Sequence, residues 1–189
     1  MRAVNIRELK NNPSEALRSA REDDLVVVMN RDQPQALLVE LIVANAGPLI
    51  VLSKLGELGL LPRMFGKVCI TQVVHAGAIA EALSGWLLVE PVDLGGWAPL
   101  NPDIDPGEAS SICLAERHAD SLLIIDDKAG RQEAAARGLR FVGLAGVLRE
   151  ARVREFIPRL RPLLDSLRGA GYYLSDELTR QVLETVGER

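Results

Sequence analysis

The stretch that decides the fold is SLLIIDDKAGRQEAAARGLRFVGL, residues 121–144. The apolar run SLLII predicts a strand, and KAGRQEAAARG predicts a helix that ends at Gly138. RFVGL predicts a second strand directly after that helix. A strand, a helix and a strand in this order predict two parallel strands joined by a crossover helix.

The same alternation extends through the chain from residue 41. Strands are predicted for LIVAN (41–45), KVCI (67–70) and WLLVEPV (86–92). A helix follows LIVAN, a helix capped by Thr71 follows KVCI, and Pro106 begins a helix over PGEASSICLAERHA. The residues after RFVGL are predicted to be helical. Residues 41–189 are therefore expected to form an α/β domain, a parallel sheet flanked by helices.

Residues 1–40 have a different pattern. MRAVNI, DDLVVVMN and QALLVEL each predict a strand, and RELKNNPSEALRSARED predicts two helical pieces separated by Pro13, with Ser14 as a cap. This gives a β-α-α-β-β module. Forty residues are too few to bury a strong core alone, so the module is expected to dimerise or to lean on the rest of the chain.

Composition excludes several functions for this chain of 189 residues. Its net charge of -4 disfavours a strongly cationic nucleic-acid binder, and 4% aromatic content disfavours binding mainly by base stacking. Two histidines, His75 and His118, are too few for a His/Cys zinc site. Cys69 and Cys113 are expected to be reduced core thiols. No apolar run is long enough to cross a membrane, so a cytoplasmic protein with no membrane partner is expected.

Polar residues cluster where the predicted strands end, which is where open parallel sheets bind ligands. Asn45 follows LIVA, Asp126 and Asp127 follow SLLII, and Glu108 opens the helix that begins at Pro106. Oxygen atoms of this kind are ligands for Mg²⁺ or Mn²⁺. These residues are therefore candidate metal ligands.

Structural interpretations of the same residues stay open. Asp127 directly before a helix is typical of an N-cap, and Glu108 in a first turn stabilises the helix dipole without any metal. Lys128 and Arg131 lie one turn apart, where they could bind a phosphate or form a solvated face. Motifs of serine hydrolases, P-loop NTPases and dinucleotide-binding proteins are absent from the sequence.

Three ordered motifs resemble those of PIN domains, the nuclease fold of VapC-type toxins. They are NAGPLI (45–50), GEASSICLA (107–115) and DDKAGRQEA (126–134). The resemblance implies a metal-dependent endoribonuclease that cleaves an RNA phosphodiester with an activated water. It implies Mg²⁺ or Mn²⁺ as the cofactor and RNA as the substrate.

The resemblance also assigns residues to the site. Metal ligands are expected at Asn45, Glu108, Asp126 and Asp127, and the three carboxylates among them would be catalytic. Asn45 stands where most PIN domains have Asp.

Two departures from the family pattern predict weak metal binding. Ala46 and Gly47 occupy the place of an expected hydroxyl residue, and Gly77 replaces a Glu on the helix after the second strand. Glu81 lies one turn later, where its carboxylate would be displaced by about 5–6 Å along the helix. RNA cleavage is accordingly expected to be reduced or lost.

Residues 1–40 resemble Phd/YefM antitoxins through VNIRELKNNPSEAL, VVVMNRDQP and QALLVEL. The two resemblances imply a fused antitoxin–toxin protein of VapBC type. Operator DNA is an expected partner, with Arg2, Arg7 and Lys10 as the phosphate contacts, and a homodimer or higher oligomer is expected. The alternative is a catalytically inactive PIN module that acts as a dimerising, DNA-binding regulator.

Overall fold

The structure, a computed structural model, describes residues 2–11, 26–30, 33–38, 41–78, 85–118 and 120–188. The chain divides into two compact units, residues 1–41 and 42–189. Each unit has its own sheet.

The described part of the first unit is a strand, a helix and two strands. These are β1 (Arg2–Asn5), α1 (Ile6–Asn11), β2 (Val26–Asn30) and β3 (Gln33–Leu38). Strand β2 is central, parallel to β1 and antiparallel to β3. The second helical piece predicted after Pro13, with its cap at Ser14, lies outside the described residues.

The second unit contains a five-stranded parallel sheet, which confirms the predicted fold class. Its strands are β4 (Ile42–Ala44), β5 (Val68–Thr71), β6 (Leu87–Glu90), β7 (Leu122–Ile124) and β8 (Arg140–Val142). Their order across the sheet is β6-β5-β4-β7-β8. Strand β4 is central and fully buried, as expected of a strand covered on both faces.

The helices of this unit follow the strands and then continue to the end of the chain. They are α2 (Ala46–Lys54), α3 (Leu60–Phe65), α4 (Gln72–Ala78), α5 (Pro106–Arg117), α6 (Lys128–Ala136), α7 (Leu144–Val153), α8 (Arg161–Gly169) and α9 (Asp176–Thr185). Within the described part of the chain, no helix is long and apolar enough to cross a membrane.

The predicted helix starts are confirmed where the structure describes them. The Thr71 hydroxyl accepts a hydrogen bond from the Val74 amide at 3.2 Å, and Pro106 lies in the first turn of α5. Gly138 adopts φ +70° after α6, a left-handed conformation that glycine reaches without strain. Cys69 and Cys113 are buried free thiols.

The strand order reverses at β4. The chain adds β5 and β6 on one side of β4 and then returns to add β7 and β8 on the other. In open α/β sheets, the crevice beyond the carboxyl ends of the strands at such a reversal is the usual ligand site. Asn45 follows β4 and residues 125–127 follow β7, so the two segments lie on the two sides of this crevice.

A buried carboxylate fixes the long connection from β6 to α5. Glu133 of α6, 2% exposed, accepts hydrogen bonds from the Leu100 amide at 2.8 Å and the Asn101 amide at 3.0 Å. It also forms an ion pair at 2.8 Å with Arg137, whose guanidinium lies 4.3 Å from the centroid of the Trp97 ring. The connection that leads into α5 is therefore anchored on α6.

Candidate metal site at the carboxyl edge of the sheet

Asn45 is held at the end of β4 by both its backbone and its side chain. Its amide donates to the Ile124 carbonyl of β7 at 3.0 Å, and its Oδ1 accepts from the Ala46 amide at 2.8 Å. The Ser111 hydroxyl of α5 lies 3.5 Å from the same Oδ1. Asn45 is 7% exposed, so a neutral oxygen is fixed at the base of the crevice.

Glu108 is positioned by a capping box at the start of α5. The Asp105 side chain accepts from the Glu108 amide at 2.8 Å, and Glu108 Oε2 accepts from the Asp105 amide at 3.2 Å. This reciprocal pair fixes the first turn of a helix. Glu108 is only 5% exposed.

Asp127 caps α6, as the structural interpretation of the sequence predicted. Its Oδ1 accepts from the Ala129 amide at 2.6 Å and from the Gly130 amide at 3.1 Å. A Cβ atom at Gly130 would lie 3.5 Å from the Glu108 carboxyl carbon and 2.5 Å from Ile125 Cδ1. Glycine at this position therefore lets the first turn of α6 approach Glu108 closely.

Glu108 and Asp127 face each other as two carboxyl groups within hydrogen-bonding reach. Burial raises the pKa of Glu108, the charges of Asp105 and Asp127 and the contact with Asp127 add to this, and the hydrogen bond from the Asp105 amide opposes it; the resulting pKa is about 7. Two carboxylates in one site disfavour double ionisation. A bound cation would remove this penalty, so the pair has the electrostatics of a cation site.

Replacing Glu108 by Gln is expected to stabilise the metal-free protein at pH 8 by about 1–3 kcal/mol, since one pKa unit is about 1.4 kcal/mol. Gln keeps an oxygen for the Asp105 amide and removes the charge that faces Asp127. The native pKa lies above the unfolded one, so wild-type stability is lost as pH rises from about 4.5 to 7. Denaturant unfolding at pH 5 and pH 8 measures both effects.

The matched control is Glu90→Gln at the exposed end of β6. It is expected to change stability by less than about 0.5 kcal/mol at both pH values. Equal stability of wild type and Glu108→Gln at pH 8 would show that the two carboxyl groups do not oppose each other.

Asp126 lies next to Asp127 in sequence but makes different contacts. Its Oδ1 accepts from the Leu144 amide at the start of α7, at 2.8 Å. Burial raises the pKa of Asp126, while the Tyr172 hydroxyl, the Leu144 amide and the charge of Arg131 lower it. The structure therefore brings Glu108 and Asp127 together and directs Asp126 toward α7 and Tyr172.

The two predicted phosphate contacts have different environments. Lys128 is exposed beside Asp127, whereas Arg131 is half-buried and its charge acts on Asp126. Lys128 is therefore the more accessible of the two side chains. Both assignments stay predictions.

Three of the four positions at which the sequence departs from the family pattern lie in described helices, and one does not. Gly77 lies in α4, whereas Glu81, whose carboxylate is expected to be displaced along the helix, lies outside the described residues. Ala46 and Gly47 form the first turn of α2, and neither has a hydroxyl group.

The predicted DNA contacts lie in the first unit. Arg7 and Lys10 are exposed on α1, and Arg2 lies in β1. Their contact with DNA stays a prediction.

Three residues that shape the site were missed from the sequence. Asp105 shows a usable signal, because D-x-x-E before an apolar run is the spacing of a capping box. Ser111 and Tyr172 show no such signal. Their contacts with Asn45 and Asp126 join segments that are distant in sequence.

Within the described ranges, no three Asp, Glu, His or Cys side chains are placed to hold one metal ion. The oxygen set at this edge is two facing carboxyl groups, Glu108 and Asp127, together with the Asn45 amide oxygen. Mg²⁺ is commonly bound by one or two carboxylates with water and substrate phosphate. This set fits such an ion, although it has fewer carboxylates than the four-residue ligand set predicted from the sequence.

Comparison with known proteins identifies the class of this fold. A family model described as a PIN domain (DUF3368) matches residues 41–188. The chain therefore belongs to the PIN-domain family, and this membership indicates a nuclease-like function.

One solved structure is similar to part of the chain. It is a PilT N-terminus domain protein from the hyperthermophilic archaeon Sulfolobus solfataricus, 17% identical, with a TM-score of 0.46. The match covers 59% of this chain and 93% of that one. Among curated proteins, no sequence matches this chain.

Proposed function

We propose that residues 41–189 are a divalent-cation-dependent ribonuclease whose site consists of Asn45, Glu108 and Asp127. The observation that supports this most strongly is the contact between the Glu108 and Asp127 carboxyl groups at the reversal point of a parallel sheet. Two facing carboxyl groups destabilise a fold when both are ionised, because their charges repel each other. A cation bound between them would remove this repulsion.

RNA is the proposed substrate because the motifs at 45–50, 107–115 and 126–134 resemble those of VapC-type PIN domains. Lys128 directly follows Asp127 beyond the carboxyl end of β7, and its side chain is exposed. A phosphodiester entering there would meet one positive side chain above two acidic ones. This charge arrangement suits a phosphate that shares a cation with the protein.

Each residue has a defined part in this proposal. A divalent ion, when bound, would offset the negative charge of the carboxylates and polarise the phosphodiester. Asp127 is oriented by the Ala129 and Gly130 amides, and Glu108 by the capping box with Asp105. Asn45 contributes a neutral oxygen whose position is fixed by the Ala46 amide.

Calorimetric titration with Mn²⁺ tests the site directly. The Asp127→Asn variant keeps an effective N-cap for α6 but loses a charged ligand. We therefore expect Mn²⁺ affinity to fall by about tenfold or more, which corresponds to about 1.4 kcal/mol or more. Wild-type affinity retained in Asp127→Asn would refute the proposed ligand set.

A carboxylate at Gly77 is expected to strengthen Mn²⁺ binding by about threefold to tenfold. Gly77 lies three residues after Val74 on α4, and Val74 Cγ2 would be 3.9 Å from a Cβ atom at Gly107. Positions i and i+3 share a helix face, so Gly77→Glu directs a carboxylate toward the start of α5. Each added carboxylate attracts the ion more strongly.

Ala76→Glu is the matched control, because Ala76 is exposed one residue away on another part of the helix surface. The same titration is expected to show no gain in affinity for this variant. Equal gains in both variants would indicate a general effect of negative charge, and no gain in Gly77→Glu would show that this position does not serve the site.

The finer features predicted from the sequence remain proposals. They include fusion to a Phd/YefM-type antitoxin segment, a VapBC-type role, operator DNA as a partner, a homodimer or higher oligomer, and a cytoplasmic location. The alternative of an inactive, DNA-binding PIN module is favoured by one observation: the described part of the site offers only two facing carboxyl groups.

A further inference from the structure

Asp126 caps a helix from outside that helix. Helix α7 begins after Gly143, which has no side chain to accept from the first free amides. Asp126 Oδ1 is the N-cap acceptor instead: it accepts a hydrogen bond from the Leu144 amide, 18 residues later in the sequence, at 2.8 Å. A carboxylate at a helix N-terminus is favoured both by the hydrogen bond and by the helix dipole.

The space for this contact depends on Gly143. A Cβ atom at this position would lie 2.8 Å from Asp126 Oδ1 and 3.7 Å from an Arg131 guanidinium nitrogen. The first of these distances is too short for a real Cβ contact. The absence of a side chain at Gly143 is therefore required for the close approach of Asp126 to α7.

The second oxygen of Asp126 is directed away from solvent. Oδ2 is buried and has no hydrogen-bond partner among the described residues. The Tyr172 hydroxyl, from the connection between α8 and α9, lies close enough to this carboxylate to lower the pKa of Asp126. It makes no hydrogen bond to Oδ2. Tyr172 itself is half-buried against the core. Asp126 thus faces the start of α7, Arg131 and the C-terminal helices.

We propose that Asp126 is a positioning residue that joins the end of β7 to α7 and to Tyr172, and that it is not a metal ligand. This inference rests on the proposed function, because it divides the roles within the same site. With Asp126 fixed on α7, the next residue, Asp127, is presented to Glu108 in the crevice. Of two adjacent aspartates, Asp126 therefore contacts α7 and Asp127 contacts Glu108.

The test compares Mn²⁺ affinity in three variants of the full chain. Asp126→Asn keeps an oxygen that can accept from the Leu144 amide, whereas Asp126→Ala removes the cap. We expect the Asn variant to bind Mn²⁺ within about threefold of wild type and the Ala variant to bind about tenfold more weakly, as when an outer contact of a metal site is lost. Gly143→Ala, which disturbs the contact without touching the carboxylate, is expected to behave like Asp126→Ala.

Hydrogen exchange at the Leu144 amide gives an independent measurement. We expect protection in wild type and Asp126→Asn, and exchange about tenfold faster or more in Asp126→Ala and Gly143→Ala. A loss of Mn²⁺ affinity in Asp126→Asn as large as in Asp127→Asn would overturn the proposal and make Asp126 a ligand.

If wild type binds no Mn²⁺, the proposed metal site is wrong, and exchange at Leu144 then decides the positioning role. Faster exchange in Asp126→Ala with protection in Asp126→Asn supports the role. Unchanged exchange in Asp126→Ala, or in Gly143→Ala if the first variant does not fold, overturns it.

Discussion

RNA cleavage in the presence of Mn²⁺ is expected to fall by about 100-fold or more in Asp127→Asn, which corresponds to about 2.7 kcal/mol of transition-state stabilisation. Asn still caps α6, so the first turn of the helix and the position of Lys128 are kept. What is lost is one of the two charges that attract the ion. A labelled single-stranded RNA of mixed sequence, followed over time with and without a chelator, measures the change.

Asp103→Asn supplies the matched control for this assay. Asp103 is an exposed carboxylate in the connection that leads into α5. Its replacement changes the net charge by the same amount and is expected to alter the rate less than twofold. Cleavage that persists in Asp127→Asn, or that continues after chelation of the metal, would contradict a metal-dependent site at this position.

The Glu133→Ala variant is expected to lose about 3–5 kcal/mol of stability, the usual cost of removing one partner of a buried ion pair. The deletion leaves the Leu100 and Asn101 amides without their acceptor and removes the 2.8 Å ion pair with Arg137. For a chain of this size the loss corresponds to a decrease of about 6–20 °C in the melting temperature. Thermal unfolding followed by circular dichroism measures it.

The pH dependence of the stability difference between wild type and Glu133→Ala gives a second check. Burial raises the pKa of Glu133, but the Leu100 amide, Arg137 and the Asn101 amide outweigh it and leave the pKa below its usual value. The stabilisation is therefore present above the usual carboxyl range and is lost as pH falls through the native pKa.

The control Gln132→Ala, exposed on the same helix, is expected to shift the melting temperature by no more than about 2 °C. A similarly small shift in Glu133→Ala would show that the connection from β6 to α5 does not depend on α6.

The parallel sheet was predictable from local sequence. Continuous apolar runs such as those at 42–44 and 122–124 are typical of strands buried on both faces, and the caps Thr71 and Asp127 marked helix starts in the right places. These features depend on residues that are close in sequence. The strand order could not be predicted from local sequence, because the chain returns from β6 to the far side of β4 as a result of tertiary packing.

The division of the site between two aspartates could not be predicted in the same way. Asp126 and Asp127 have identical side chains and adjacent positions, so sequence gives no reason to separate them. Asp126 is turned toward α7 by the Leu144 amide, 18 residues later, and by Tyr172 from another part of the chain. Contacts between distant segments decide which carboxylate faces Glu108.

Anomalous diffraction from a crystal of the full chain soaked in Mn²⁺ tests the proposed metal site most directly. An anomalous peak is expected between the Glu108 and Asp127 carboxylates, within about 2.5 Å of an oxygen from each, with Asn45 Oδ1 in or next to the coordination shell. Asp126 is expected to remain on the Leu144 amide. A peak coordinated by Asp126, or no peak at this edge of the sheet at a saturating Mn²⁺ concentration, would contradict the account.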